Sequence, residues 1–149
     1  MKKASILIVD DSEDILETLR AILDEKGYDV DTAESGGEAI EKSRKNFYNL
    51  ALLDIRLPDM EGTQLLTGMK ETRPKMVKIM ITGYASLENA AEALNLGADA
   101  YITKPVNPEN LLKVIDEKLM AQRQAEKITQ EKVTEWIETR ARLLEKELR

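Results

Sequence analysis

The sequence predicts an α/β protein with a doubly wound parallel sheet, and three observations carry that expectation. Short apolar runs alternate with amphipathic stretches at roughly 20- to 25-residue spacing, which is the rhythm of βα units. The apolar runs are continuous rather than alternating, as strands covered on both faces require. No cysteine, no repeat and no low-complexity tract offers another organising principle.

In chain order, Ile6-Leu7-Ile8-Val9 reads as the first buried strand. Ile15, Leu16, Leu19, Ile22 and Leu23 then form one stripe of a helix, which Gly27 suits as a left-handed stop. Tyr28 to Ala33 alternates Tyr28, Val30 and Thr32 with Asp29 and Asp31, the pattern of a strand half exposed at a sheet edge. Ser35-Gly36-Gly37 leads into a second helix through Ala39 and Ile40. Leu50-Ala51-Leu52-Leu53 is the third strand, and Thr63 opens a helix through Leu65, Leu66 and Met69 that ends before Arg73-Pro74. Met76 to Ile81 is the fourth strand. Ser86 is placed to cap a helix containing Leu87, Ala90, Ala91 and Leu94, closed by Gly97. Ala100-Tyr101-Ile102 is the fifth strand, and Asn107 caps the last helix through Leu111, Leu112, Ile115 and Leu119.

Residues 121–149 lack proline and glycine and carry Val133, Ile137, Ala141, Leu144 and Leu148 three or four apart, with Trp136 beside them. This segment is expected to be a helical extension of a domain spanning residues 1–120, continuous with its fifth helix. Its apolar stripe can pack back on the domain, pair with a second chain or lead into a further domain. The first use favoured is a linker or dimerisation helix, with Trp136 as a packing residue. Heptad regularity is poor.

With 149 residues and 42% hydrophobic content, the chain can bury one core of ordinary domain size. Its 28 acids against 22 bases give a net charge of −6, which disfavours attraction to nucleic-acid backbones or anionic membranes. Histidine and cysteine are both absent, so chemistry must run on carboxylates, lysine and hydroxyls. No apolar run reaches membrane-spanning length and the N-terminus lacks a signal-peptide core, so a cytoplasmic location is expected.

In open α/β sheets the functional crevice lies at the carboxyl ends of the strands, where the strand order reverses. The residues at those ends are Asp10-Asp11, Asp54, Thr82 and Lys104-Pro105. If the order is 2-1-3-4-5, the first and third strands are neighbours and three carboxylates converge. Such crowding is relieved by protonation, by a nearby cation or by a hard metal ion such as Mg²⁺. A metal-screened carboxylate can then receive a phosphoryl group, with Lys104 adding positive charge and Thr82 a hydroxyl donor. Glu13 and Asp14 are assigned to the dipole of the first helix. Taken singly, Asp54 could be a turn residue, Thr82 a strand terminator and Lys104 a solvated lysine. Their joint placement at separate strand tips favours one pocket.

The segments "ILIVDDSED", "LALLDIRLPDMEG", "IMITGYAS" and "AYITKPV" resemble the signature segments of response-regulator receiver domains of two-component signalling, over residues 4 to about 120. The resemblance implies a flavodoxin-like fold and a switch rather than an enzyme. It implies Asp54 as phosphoacceptor, Asp10 and Asp11 with Asp54 as Mg²⁺ ligands, and the backbone carbonyl of Arg56 as a further ligand. Thr82 and Lys104 would each contact a phosphoryl oxygen, Tyr101 would turn inward as Thr82 moves, and the Lys104–Pro105 bond would be cis. The phosphoryl donor would be a sensor histidine kinase or phosphotransfer protein, since this chain has no histidine. Arg56 and Tyr84, at positions that vary in the family, would shield the phosphoryl group from water. The wording "TGYASLEN" and "ITKPV" is similar to receivers attached to ATPase-type transcription activators. An aspartate-nucleophile phosphatase of haloacid-dehalogenase type is the rival reading, but it wants Asp-x-Asp where this chain has Asp10-Asp11-Ser12. A flavin-binding domain of the same topology would need a phosphate-cradling first loop, and carboxylates there would repel the cofactor.

Overall fold

In a computed structural model, residues 3–83 and 87–148 are described. The elements run β1 (Ser5–Val9), α1 (Glu13–Glu25), β2 (Asp29–Ala33), α2 (Gly36–Lys45), β3 (Leu50–Asp54), α3 (Gly62–Gly68), β4 (Val77–Thr82), α4 (Leu87–Asn95), β5 (Ala100–Thr103) and α5 (Pro108–Leu148). The five strands form one parallel sheet in the order β2-β1-β3-β4-β5. This is the flavodoxin-like arrangement expected, with β2 at one edge.

Strand alternation divides the core into two layers. Ile6 and Ile8 of β1 face one side with Leu52 and Ile79, where Leu16, Leu19 and Leu23 of α1 meet Leu111, Ile115 and Leu119 of α5. Leu7 and Val9 face the other side with Leu53 and Met80, against Ala39 of α2, Leu65 and Leu66 of α3 and Ala93 of α4. Every residue of β3 and β4 is buried. Burial of each large aliphatic side chain is worth about 1.5–3 kcal/mol, which makes a one-residue register slip in these strands prohibitive.

Local signals account for most helix ends. Ser12 Oγ accepts from the Ile15 N–H at 3.4 Å, and Glu13 and Asp14 fill the first turn of α1, where the helix dipole favours them. Gly27 (φ +89) and Gly97 (φ +108) take the left-handed conformation after α1 and α4. Asn107 Oδ1 accepts from the Asn110 N–H at 3.0 Å, with Pro108 at the first helical position of α5. The third helix begins at Gly62 rather than Thr63, because Gln64 Oε1 accepts from the Glu61 N–H at 3.0 Å and sets Glu61 as the cap. The Ser86 cap and Tyr84 lie outside the described residues. Lys104–Pro105 is cis, and so is Arg73–Pro74.

Two charged residues on strands, one in the buried β4 and one on the edge strand β2, find their partners through the fold. Lys78 on β4 is buried, its Nζ donates to the Leu66 carbonyl at 2.9 Å, and burial holds its pKa below the usual lysine range. At the β2 edge, Asp31 accepts from Tyr48 Oη at 2.6 Å, from Lys42 Nζ at 3.0 Å and from the Thr32 N–H at 2.9 Å. Burial alone would raise the Asp31 pKa, but these three donors outweigh it and hold the carboxyl below its ordinary value.

The extension is continuous with α5, which runs as one 41-residue helix. Gln122 marks its departure from the domain, donating from Nε2 to the carbonyls of Asn49 at 2.9 Å and Lys75 at 2.8 Å. Past Glu126 every described residue is exposed, so the stripe does not pack back on the domain. Trp136 is 64% exposed and packs only along its own helix, with the Arg140 guanidinium 5.8 Å from its ring centroid.

The Asp31 cluster has a definite pH signature. Because the folded pKa lies below the unfolded value near 3.8, its stabilisation is present above that value and is lost as pH falls through the folded pKa. The carboxylate is partly exposed, so the contribution is about 1 kcal/mol or less. In denaturant titrations, Asp31→Asn should be less stable than the parent at pH 7 by that amount, and the gap should close below pH 4.

Candidate functional site

The strand tips form one pocket because the register aligns them. Val9 pairs with Leu53, Asp54 with Ile81, and Thr82 with Thr103, so β1, β3, β4 and β5 end at nearly one level. The chain then fixes each exit. The Asp10 N–H donates to the Ala33 carbonyl at 3.1 Å, and the Lys104 N–H donates to the Thr82 carbonyl at 2.7 Å. Asp10, Asp54 and Thr82 are buried, whereas Asp11 is exposed at the rim.

Carboxylate oxygens of Asp10, Asp11 and Asp54 lie within 4.8 Å of one another. Lys104 Nζ sits 3.0 Å from Asp10 Oδ2 and 3.6 Å from Asp54 Oδ1, bridging the two buried acids. Asp10 uses its other oxygen to accept from the Ser12 N–H at 2.9 Å, which orients it. The Asp54 carboxyl is pushed above its ordinary pKa, first by burial, then by the Asp10 charge and to a smaller degree by Asp11. Lys104 and the Arg56 N–H oppose that rise. A compact, oxygen-only set on one side of a lysine fits a hard divalent cation that keeps some of its waters. The same set disfavours soft metals, since the chain has neither thiolate nor imidazole.

Each residue expected at the strand tips is therefore at this pole. Tyr101 lies on β5 with its ring packed on the α2–α3–α4 side of the sheet. Its hydroxyl is buried beside Thr82 without a well-aligned hydrogen bond, and burial raises the phenol pKa against the influence of the Thr82 hydroxyl. The Arg56 side chain is exposed at the start of the β3–α3 loop, and its backbone forms an isolated antiparallel β-bridge with Glu61.

Two residues that shape the pocket were not anticipated. Asp59 reaches from the β3–α3 loop to the start of α2, where its carboxylate accepts from the Gly36 N–H at 2.9 Å and the Gly37 N–H at 2.8 Å. Free N–H groups at a helix N-terminus favour such an anion, and these bonds hold the Asp59 pKa down. Gly62 passes so close to the end of β3 that a Cβ would lie 2.7 Å from the Asp54 carbonyl oxygen and 2.7 Å from Ile55 Cα. Its N–H donates to the Ile55 carbonyl at 2.6 Å. The sequence cue for both was the paired glycines before α2 and the glycine closing "LPDMEG".

Residues 6–116 match the response regulator receiver domain family. The chain belongs to that family. A CheY-like response regulator receiver domain protein from Methanospirillum hungatei JF-1 is 55% identical, with a TM-score of 0.78, over 82% of this chain and 98% of that one. The transcriptional regulatory protein GlrR of Escherichia coli K12 is 34% identical over 143 residues, 96% of this chain but 32% of GlrR. ZraR of the same organism, also a transcriptional regulatory protein, is 37% identical over 114 residues, 76% of this chain and 26% of ZraR. The chain thus spans about a third or less of these two regulators. Kinship with regulators accords with a signalling switch rather than a classical enzyme.

Crowding at Gly62 gives a test of how the pocket is held. Gly62→Ala must displace the backbone of Asp54 and Ile55, at a cost of about 1–3 kcal/mol. A denaturant midpoint lowered to match, together with shifted Asp54 and Lys104 NMR resonances, is the expected result.

Proposed function

We propose that this receiver takes a phosphoryl group from a phosphohistidine onto Asp54 and so switches its interactions with a partner or output domain. The observation that supports this most is Lys104 Nζ lying 3.0 Å from Asp10 and 3.6 Å from Asp54, with three carboxylates gathered at one sheet pole. Asp10, Asp11 and Asp54, with the Arg56 carbonyl, would hold Mg²⁺. When bound, the ion supplies positive charge that screens the incoming phosphoryl oxygens from the acids.

The remaining work falls to the chain. An ionised oxygen of Asp54 attacks phosphorus as the P–N bond to the donor imidazole breaks, and the leaving nitrogen keeps the bonding pair. No general base is needed, because the nucleophile carries no proton. Lys104 stays within reach of Asp54 and pairs with one phosphoryl oxygen, and Thr82 donates its hydroxyl to another. Movement of Thr82 changes what the buried Tyr101 hydroxyl meets, which couples the pole to the surface of α4, β5 and α5. Water later attacks the phosphorus, the bond from phosphorus to the Asp54 oxygen breaks, and inorganic phosphate leaves as the carboxylate is restored. Arg56 at the rim slows that step by covering the phosphoryl group.

The donor would be a sensor histidine kinase or phosphotransfer protein in the cytoplasm. Among the described residues no helix is long and apolar enough to cross a membrane. The relatives named as transcriptional regulatory proteins support an output acting on transcription through a further domain or partner. The exposed extension would serve as linker or as a self-association element giving a homodimer.

Incubation with a small-molecule phosphodonor and Mg²⁺, followed by intact mass, tests the assignment. The parent should gain one phosphate, Asp54→Asn none, and Lys104→Ala should be slowed at least tenfold. Arg56→Ala should dephosphorylate several-fold faster. Sustained turnover of phosphate esters would instead indicate a phosphatase.

A further inference from the structure

The connection between β3 and α3 is a small hairpin. Its legs are tied by the Leu57 N–H donating to the Met60 carbonyl at 3.2 Å and the Gly62 N–H donating to the Ile55 carbonyl at 2.6 Å, and Arg56 and Glu61 face each other between those bonds. In such a pair the N–H and C=O of each residue turn away from the opposite leg. On Arg56 they turn toward Asp54, whose carboxylate accepts from the Arg56 N–H. An extended residue points its N–H and C=O the same way, so the Arg56 carbonyl is on the Asp54 side of the hairpin as well.

The hairpin tip, Pro58-Asp59, is anchored on α2. That helix caps itself in part: Ser35 Oγ accepts from the Glu38 N–H at 3.2 Å, and Glu38 Oε2 accepts from the Glu34 N–H at 3.1 Å. The Gly36 and Gly37 N–H groups lie in the first turn, where no helical carbonyl can reach them. Asp59 takes one on each carboxylate oxygen, at 2.9 and 2.8 Å. The hairpin comes so close that neither glycine has room for a side chain. A Cβ on Gly36 would collide with Met60, and one on Gly37 would lie 3.2 Å from Asp59 Oδ2. Asp59, Met60 and the two glycines thus make one docking contact between the hairpin and α2.

We propose that Asp59 is a positioning residue for the cation site: by docking the hairpin tip on α2 it fixes the Arg56 peptide against Asp54 and so raises the affinity for Mg²⁺. This rests on the reading of Asp10, Asp11, Asp54 and the Arg56 carbonyl as Mg²⁺ ligands. The three carboxylates stand at the ends of β1 and β3, where the sheet register places them. The carbonyl belongs to the hairpin and takes its position from the hairpin's own anchors. Mg²⁺ demands near-ideal octahedral geometry, so a displaced ligand weakens binding. Groups that orient metal ligands without touching the ion commonly contribute about 10–100-fold to affinity, and Asp59 acts at one further remove, so about three- to tenfold is expected of it. Coupling of this kind is reciprocal, and Mg²⁺ must in turn tighten the contact on α2. Simple helix capping by Asp59 would stabilise α2 and have neither effect.

Mg²⁺ titration followed by amide NMR reads both the affinity and the contact. In the parent, Mg²⁺ should slow hydrogen exchange at the Gly36 and Gly37 amides. Asp59→Ala should raise the Mg²⁺ dissociation constant by about three- to tenfold and abolish that protection, while Asp59→Glu, which keeps a carboxylate, should recover part of the affinity. Gly36→Ala, which displaces Met60 without altering the hairpin's own sequence, should weaken Mg²⁺ binding in the same direction. Denaturant midpoints taken without Mg²⁺ give the loss of helix capping separately. Asp59→Ala binding Mg²⁺ as tightly as the parent, or Mg²⁺ leaving exchange at Gly36 and Gly37 unchanged in the parent, would overturn the inference and leave the metal reading standing. A parent that binds no Mg²⁺ would overturn both.

Discussion

Three carboxylates with oxygens within 4.8 Å of one another repel, and most of the pole is arranged around that constraint. Lys104 bridges Asp10 and Asp54, and its position depends on the chain between β5 and α5. Its N–H is tied to the Thr82 carbonyl, and the cis bond to Pro105 follows immediately. The remaining imbalance appears as the raised Asp54 pKa, whose leading cause is burial and whose next is Asp10. A site held this way is poorly compensated when empty. Such a cluster favours a ligand that brings positive charge.

The fold supplies this geometry through register more than through loops. Parallel strands that are buried on both faces fix their own alignment, because a slip of one residue would exchange the two core layers. Leu52 and Leu53 point into different layers and together pin β3, leaving Asp54 at its carboxyl end. Gly62 and Asp59 then hold the loop that follows: one by allowing the backbone to pass against Asp54, the other by docking on the N-terminus of α2. The end of β3 is thus positioned by residues outside the carboxylate cluster.

Most of this was legible in the sequence because its signals are local. Continuous apolar runs, Gly27, Gly97 and Asn107 each act within a few residues, and the tips they deliver were read correctly as one pocket. What escaped was long-range satisfaction of polar groups. Asp59 meets Gly36 and Gly37 across more than twenty residues, and Gln122 meets Asn49 across 73. Lys78 was not singled out within the fourth strand, since nothing nearby in sequence identifies the Leu66 carbonyl as its acceptor. Such residues look like ordinary surface polar groups until the topology supplies a partner.

The same distinction explains the extension. Its apolar residues satisfy no heptad, so the stripe was visible while its direction was not. Direction is a property of phase relative to α5, and phase becomes meaningful only when Leu111, Ile115 and Leu119 are known to face the sheet. Gln122 converts that phase into a fixed orientation, because three hydrogen bonds to Asn49 and Lys75 prevent the helix from rolling as it leaves the domain. A change that repacks α5 against the sheet would therefore rotate the whole stripe.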